Sequence, residues 1–147
     1  MSTSADHAAQ RGLAEKLGIE PGTVVQVLGA DGEPPADQAV LDDVEARTEN
    51  EVIHGDDSDE VADMVLLWWR EDDGDLVDAL MDAIGPLADD GTIWVLTPKT
   101  GREGHVEPSE IAEAVPTAGL AQTSSVSVGT EWSATRLVSP KSAKTKR

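Results

Sequence analysis

Residues 63–97 read DMVLLWWREDDGDLVDALMDAIGPLADDGTIWVLT, and the fold is decided inside this stretch. Its opening, Asp63–Trp69, is almost continuously apolar, the pattern of a strand covered on both faces. Residues 75–87 then carry Leu76, Val77, Leu80, Met81, Ile84 and Leu87 at helical spacing, with Asp75, Asp78 and Asp82 on the opposite side, which predicts an amphipathic helix. Asp72, Asp73 and Asp75 suit its N-terminus, where a carboxylate caps free N–H groups and meets the positive end of the helix dipole. Gly85-Pro86 and Ala88-Asp89-Asp90-Gly91 bring the helix to a stop, and Thr92–Thr97 is a second β-rich run. Strand, helix and strand in this order form the unit of a parallel sheet with crossover helices.

The same alternation extends in both directions. Thr23–Leu28 (TVVQVL) is the first expected strand, introduced by a short helix stopped at Gly18 and a turn at Pro21-Gly22, and ending at Gly29. The loop GADGEPPA follows, then a helical pattern over 37–47 with Val40, Leu41 and Val44 on one face, then a short strand at 51–54 (EVIH). Beyond the central stretch, a helix is expected over 108–115, with Pro108 in its first turn and Pro116 beyond it. Runs 122–128 and 133–138, separated by Gly129-Thr130-Glu131, read as an antiparallel hairpin. The expected fold is a three-layer Rossmann-like α/β sandwich, its mostly parallel sheet of five or six strands ending in that hairpin. The 147 residues make one domain, 11–139, between a polar lead-in (1–10) and a basic tail (140–147), both read as disordered.

Composition narrows the chemistry. The absence of cysteine excludes a disulfide scaffold, a zinc knuckle, an iron–sulfur site and thiol chemistry, and it suits a reducing cytoplasm. The apolar runs are strand-sized, so no export signal or membrane span is expected. Net charge is −18. Four of the eleven cations, Lys141, Lys144, Lys146 and Arg147, lie in the tail, so the body sets seven cations against all 29 acids. Such a body repels nucleic acid and anionic membrane and favours cationic partners; the plainer reading, preferred over a dedicated acidic interface, is the solubilised surface of an acid-rich proteome. The tail supports only weak, salt-sensitive contact with nucleic acid. No G-x-S-x-G elbow and no G-x-x-x-x-G-K-[ST] loop occurs. His54-x-Asp56-Asp57 is a weak divalent-cation pattern that reads equally as solvated loop carboxylates, and no metal is expected.

In open α/β sheets, ligands sit beyond the carboxyl ends of the strands, near the switch in strand order. Arg70, Lys99 and Arg102 directly follow the ends of the third and fourth expected strands, with His105 nearby. In so acidic a body, this clustering points to a local site for a phosphate, a carboxylate or an acidic peptide segment. The competing reading is ordinary ion pairing with Glu71, Asp72, Asp73 and Glu103. All four aromatic residues are tryptophan. Trp68 and Trp69 must face opposite sides of the sheet. One can pack beneath a helix while the other stacks on a ligand ring near the crevice mouth; Trp94 reads as core.

KLGIEPGTVVQVLG (16–29), DMVLLWWR (63–70), GPLADDGTIWVLTPKTGR (85–102) and LAQTSSVSVGTEWSATRLV (120–138), in this order, resemble the bacterial domain-of-unknown-function 3052 family over about residues 13–139. The resemblance implies a small cytoplasmic bacterial protein and no particular activity. A more distant likeness is to the class I S-adenosylmethionine-dependent methyltransferases. It rests on Pro21-Gly22-x-x-Val25, Asp63-x-Val65-Leu66-Leu67, Leu87-x-x-x-Gly91-x-Ile93-Trp94-Val95 and the closing hairpin. The departures are a first loop with two glycines followed by Pro34-Pro35, a poor cradle for a cofactor, and the loss of one β–α unit after the second strand. The first functional expectation is a non-catalytic binding or regulatory module that contacts a protein partner or small anionic ligand through Trp68 or Trp69, Arg70, Lys99, Arg102 and His105. The alternatives are a minimal methyltransferase-like enzyme with S-adenosylmethionine at Gly29, Asp31 and Asp56, and a nucleic-acid-associated protein working through the tail.

Overall fold

The computed structural model describes residues 17–29, 38–49, 51–54, 61–71, 74–85, 87–102, 104–128 and 132–138. Along the chain these form β1 (Val25–Leu28), α1 (Gln38–Thr48), β2 (Ile53–His54), β3 (Ala62–Trp68), α2 (Leu76–Ile84), β4 (Leu87–Pro98), α3 (Pro108–Thr117), β5 (Ala121–Val128) and β6 (Trp132–Val138). The strands make one sheet in the order β2-β1-β3-β4-β6-β5. The first four are parallel, and β6 joins β4 and β5 antiparallel. The expected lead-in and basic tail lie outside the described residues, as does most of the short helix before Gly18.

Alternation along the two central strands builds two cores. Met64, Leu66 and Trp68 of β3, with Trp94 and Leu96 of β4, pack against Val40, Leu41 and Val44 of α1 and against Leu17 and Ile19. Val65, Leu67 and Trp69, with Ile93 and Val95, pack on the opposite face against Leu76, Leu80 and Ala83 of α2 and Ile111, Ala114 and Val115 of α3. The result is the expected three-layer sandwich. Trp94 is core, and its indole N–H donates to the Leu17 carbonyl at 2.9 Å, which ties the entering chain to the middle of the sheet.

Strands β1 and β2 each start two residues later than the sequence reading, and three larger boundary differences follow from local chemistry. Helix α2 stops at Ile84, and Leu87 opens β4, opposite Ala62 of β3. The Gly85 N–H closes the helix on the Met81 carbonyl, and the proline that follows has no N–H with which to extend it. Strand β4 therefore runs twelve residues, back through a register shift between Ala62 and Met64. Helix α3 contains Pro116 instead of ending before it. In the last turn a missing N–H costs one hydrogen bond, and the turn closes through Ala118, Gly119 and Leu120, whose N–H groups donate to Ala114, Pro116 and Val115.

Helix α1 ends less comfortably. Arg47 in its last turn donates to the Ile19 carbonyl at 2.9 Å, but the following residue pair ends on Glu49 at φ 67°, the one described non-glycine residue in the left-handed region. A side chain there costs roughly 1–2 kcal/mol, and glycine is the usual solution at such a helix end. Glu49 is exposed, so its side chain offsets little of this cost. Replacing Glu49 with glycine is expected to stabilise the protein by about 1 kcal/mol, read as a raised urea midpoint at unchanged slope.

Candidate functional site

The strand order fixes where a ligand crevice belongs. From β1 the sheet extends to β2 on one side and to β3 on the other. The switch point is therefore the gap above the carboxyl ends of β1 and β3. Gly29 stands at the end of β1 with φ 77°, and a Cβ there would collide with the Trp68 carbonyl oxygen at the end of β3.

Arg70 fills this gap. Its side chain is 1% exposed. Nη1 donates to the Gly29 carbonyl at 2.6 Å and to the Trp68 carbonyl at 3.0 Å, so one guanidinium bridges the two strand ends. The same guanidinium lies 5.4 Å from the centroid of Trp132, and Trp132 meets Trp68 edge to face at 4.8 Å. Cation, aromatic face and aromatic edge stack in sequence, an arrangement that favours a buried cation. The loop after β4 closes over it: the Glu71 N–H donates to the Gly104 carbonyl at 3.0 Å, and a Cβ on Gly104 would lie 3.1 Å from Arg70 Cβ.

The remaining expected site residues separate around this plug. Trp68 and Trp69 are both buried, one in each core, as alternation requires. Lys99 is half-buried and Arg102 is exposed. Their loop is folded by two successive turns, Arg102 N–H to Lys99 carbonyl and His105 N–H to Arg102 carbonyl. His105 is held through Nδ1, 3.0 Å from the Pro98 carbonyl, and its Nε2 lies 3.6 Å from a Glu107 carboxylate oxygen. The three cations thus share the carboxyl edge of the sheet without sharing a surface: Arg70 points inward beneath Gly104, and Arg102 is exposed. Asp31, Asp56, Asp72, Asp73 and Glu103 lie outside the described residues. Among the described residues, no three His, Asp or Glu side chains gather to hold a metal ion, and no helix is long and apolar enough to cross a membrane.

Lys99 and His105 instead line a cavity of about 490 Å³ between the end of β4, the start of α3 and the hairpin. Its apolar wall is Val106, Pro108 and Ile111. Its floor is hydroxylic. Thr97, Ser133 and Ser127 stand opposite one another across β4, β6 and β5, and Thr135 and Ser125 form a second pair beside them. Sequence reasoning missed this floor, although its signal is present. Ser/Thr at every second position of β5 and β6 puts hydroxyls where a covered strand normally places Val or Leu.

Residues 14–141 match the family model described as a protein of unknown function, DUF3052. The chain belongs to the DUF3052 family. Among its relatives is the uncharacterized protein Rv2239c of Mycobacterium tuberculosis, 56% identical over 144 residues that cover 98% of this chain and 87% of that protein. This DUF3052 protein also resembles solved methyltransferases in fold. An S-adenosylmethionine-dependent methyltransferase from Aquifex aeolicus gives a TM-score of 0.57 at 12% identity, covering 87% of this chain and 88% of that one. The mitomycin 7-O-methyltransferase MmcR gives 0.56 at 16% identity and covers 92% of this chain. The DUF3052 chain spans about half of MmcR, 54% of its length. At these identities the likeness establishes a methyltransferase-like Rossmann fold and nothing about chemistry.

The Arg70 seat has a measurable consequence. Truncating Arg70 to alanine leaves the buried Trp68 carbonyl without its arginine donor, a loss of about 1–3 kcal/mol, and removes the packing of the arginine methylenes beneath Gly104, while the part-buried Gly29 carbonyl can turn to water. Arg70→Ala is expected to lower unfolding free energy by about 2–4 kcal/mol, whereas Arg102→Ala, on an exposed side chain, is expected to change it by less than about 0.5 kcal/mol. Paired urea melts check both; equal effects would make Arg70 an ordinary surface cation.

Proposed function

We propose that this DUF3052 protein is a non-catalytic binding module that takes a small anionic ligand in the cavity beside the hairpin. The observation that carries this reading is the buried Arg70 guanidinium at the switch point. In a methyltransferase-like fold, that gap is where an adenosyl cofactor would enter. The described residues at the gap do not fit such a cofactor. Gly29 has its open side against the Trp68 carbonyl, its own carbonyl is occupied by Arg70, and the Gly104 loop lies over the arginine.

The cavity supports the positive half of the reading. Its volume lies inside the range of about 300–1,000 Å³ common to small-molecule sites. The hydroxyls of Thr97, Ser133, Ser127, Thr135 and Ser125 can donate to ligand oxygen or accept from ligand hydroxyls, and Lys99 on the same wall, already engaged in a contact of its own, would share its charge with a phosphate or carboxylate. A body this acidic repels anions at long range, so an anion must be held by short-range donors, and here those donors converge. A phosphorylated or carboxylated polyol matches both the charge and the hydroxyl floor.

Thermal unfolding in the presence of glycerol phosphate, a hexose phosphate, citrate, S-adenosylmethionine and S-adenosylhomocysteine tests this. A single-site ligand at a hundred times its dissociation constant adds about 2.7 kcal/mol. A polyol phosphate or carboxylate is expected to raise the midpoint by several degrees, with the rise lost in Lys99→Glu and in Ser133→Val. Stabilisation by either adenosyl compound, or none by any anion, overturns the reading.

A further inference from the structure

The two edges of the sheet are protected very differently. On one side the sheet ends in β2, two residues long. On the other it ends in β5, eight residues long, which among the described residues pairs only with β6. Gln122, Thr123, Ser124, Ser125 and Ser127 are exposed. A free edge presents alternate N–H and C=O groups ready to pair with another strand, and proteins normally blunt it with charge, proline or brevity. β5 has none of these. It does carry a register shift between Gln122 and Ser124, but from Ser124 to Val128 it lies in unbroken register with β6. In sequence the lack of charge reaches beyond the strand: no charged residue occurs between Glu113 and Glu131, the longest such interval in a chain of net charge −18, although the Arg136 guanidinium of β6 reaches β5 and donates to Thr123 Oγ1 at 3.1 Å.

We propose that the β5 edge pairs antiparallel with β5 of a second copy of this chain, about a two-fold axis normal to the sheet, joining two six-stranded sheets into one. Charge selects this occupant. A cationic partner has no carboxylate on β5 to meet and is drawn to acids elsewhere. An acidic copy can approach another only along a seam where like charges do not face each other, and β5 provides that seam. The geometry is self-complementary, because an antiparallel strand placed beside its own copy pairs each residue with one on the same face. The cavity faces of both copies then lie on one side of the joined sheet. Ser125 and Ser127, which floor the cavity at the β5 edge, continue onto the corresponding strand of the second copy, so the second copy extends the floor that β5 now ends. The pairing stands on the sheet edge and holds whether or not the cavity takes an anion.

Sedimentation velocity on the full chain, at low and high sodium chloride, tests the inference. The wild type is expected at twice the chain mass, with association tightening as salt screens the net repulsion. Ser124 is exposed and does not line the cavity. Ser124→Lys is expected to return the one-chain mass with the circular-dichroism spectrum unchanged, because it sets like charges together near the axis and beside Arg136, whereas Ser124→Asp can pair with Arg136 and is expected to weaken association less. Ser124→Thr is expected to keep the dimer. A wild-type monomer at high salt, association that weakens with salt, or a dimer indifferent to both charged variants overturns the pairing.

Discussion

One guanidinium closes the place where this fold ordinarily opens. At the switch point of a parallel sheet, the carbonyls at the ends of two neighbouring strands point into a gap that neither crossover helix covers. Those oxygens need a donor from water, a ligand or the chain itself. Arg70 supplies it from inside, reaching the Gly29 and Trp68 carbonyls from a single nitrogen. Burying a cation is costly unless its surroundings compensate. Two carbonyl dipoles and the ring of Trp132, which meets Trp68 in a T-shaped pair, contribute to that compensation. The arrangement is possible only because two neighbours lack side chains. Gly29 lets β1 end against the Trp68 carbonyl, and Gly104 lets the loop after β4 lie on the arginine's own methylenes.

That dependence explains what the sequence could and could not disclose. The central strand was legible because DMVLLWW admits only a doubly covered strand, and alternation alone sent Trp68 and Trp69 to opposite cores. The mostly parallel sheet and its closing hairpin followed from the strand–helix alternation and the apolar periods, while the strand order came only with the structure. Leu87 was misplaced because it continues the period of α2 while belonging to β4, and only the neighbouring Gly85-Pro86 marks the break. Arg70 was legible as a residue at a strand end, but its burial was not. Arginine is mostly exposed by type, and nothing in local pattern reveals that glycines 41 residues before it and 34 after it leave room for its side chain. The hydroxyl floor was hidden for a related reason: Ser and Thr on an edge hairpin look like ordinary solvent-facing residues until α3 is seen to rise beside them.

The acidity of the chain takes on a specific meaning once these positions are known. Of the cations on the carboxyl edge, one is sealed inside and one is exposed, which leaves Lys99 as the cation of the cavity wall. For the anion proposed above, so negative a field would give no long-range attraction, and selectivity would rest on short contacts that distinguish a hydroxylated anion from chloride or bulk phosphate. A floor of donor–acceptor hydroxyls beside a single ammonium group meets that requirement better than a cluster of arginines would, because such a cluster would bind any anion.

The missing β–α unit acts in the same direction as the arginine. The common doubly wound order places three strands on the β1 side of the switch, whereas among the described residues this sheet has β1 and a two-residue β2 there. A crevice needs walls of comparable height on both sides, and β2 is too short to raise one. Among the described residues, the carboxyl edge keeps depth where twelve-residue β4, the start of α3 and the hairpin enclose it, with a smaller hollow between Trp69 and the facing ends of α2 and α3. The fold has kept its frame and moved its concave surface one strand pair away from the switch point, onto the half of the sheet whose outer strand bears no charge.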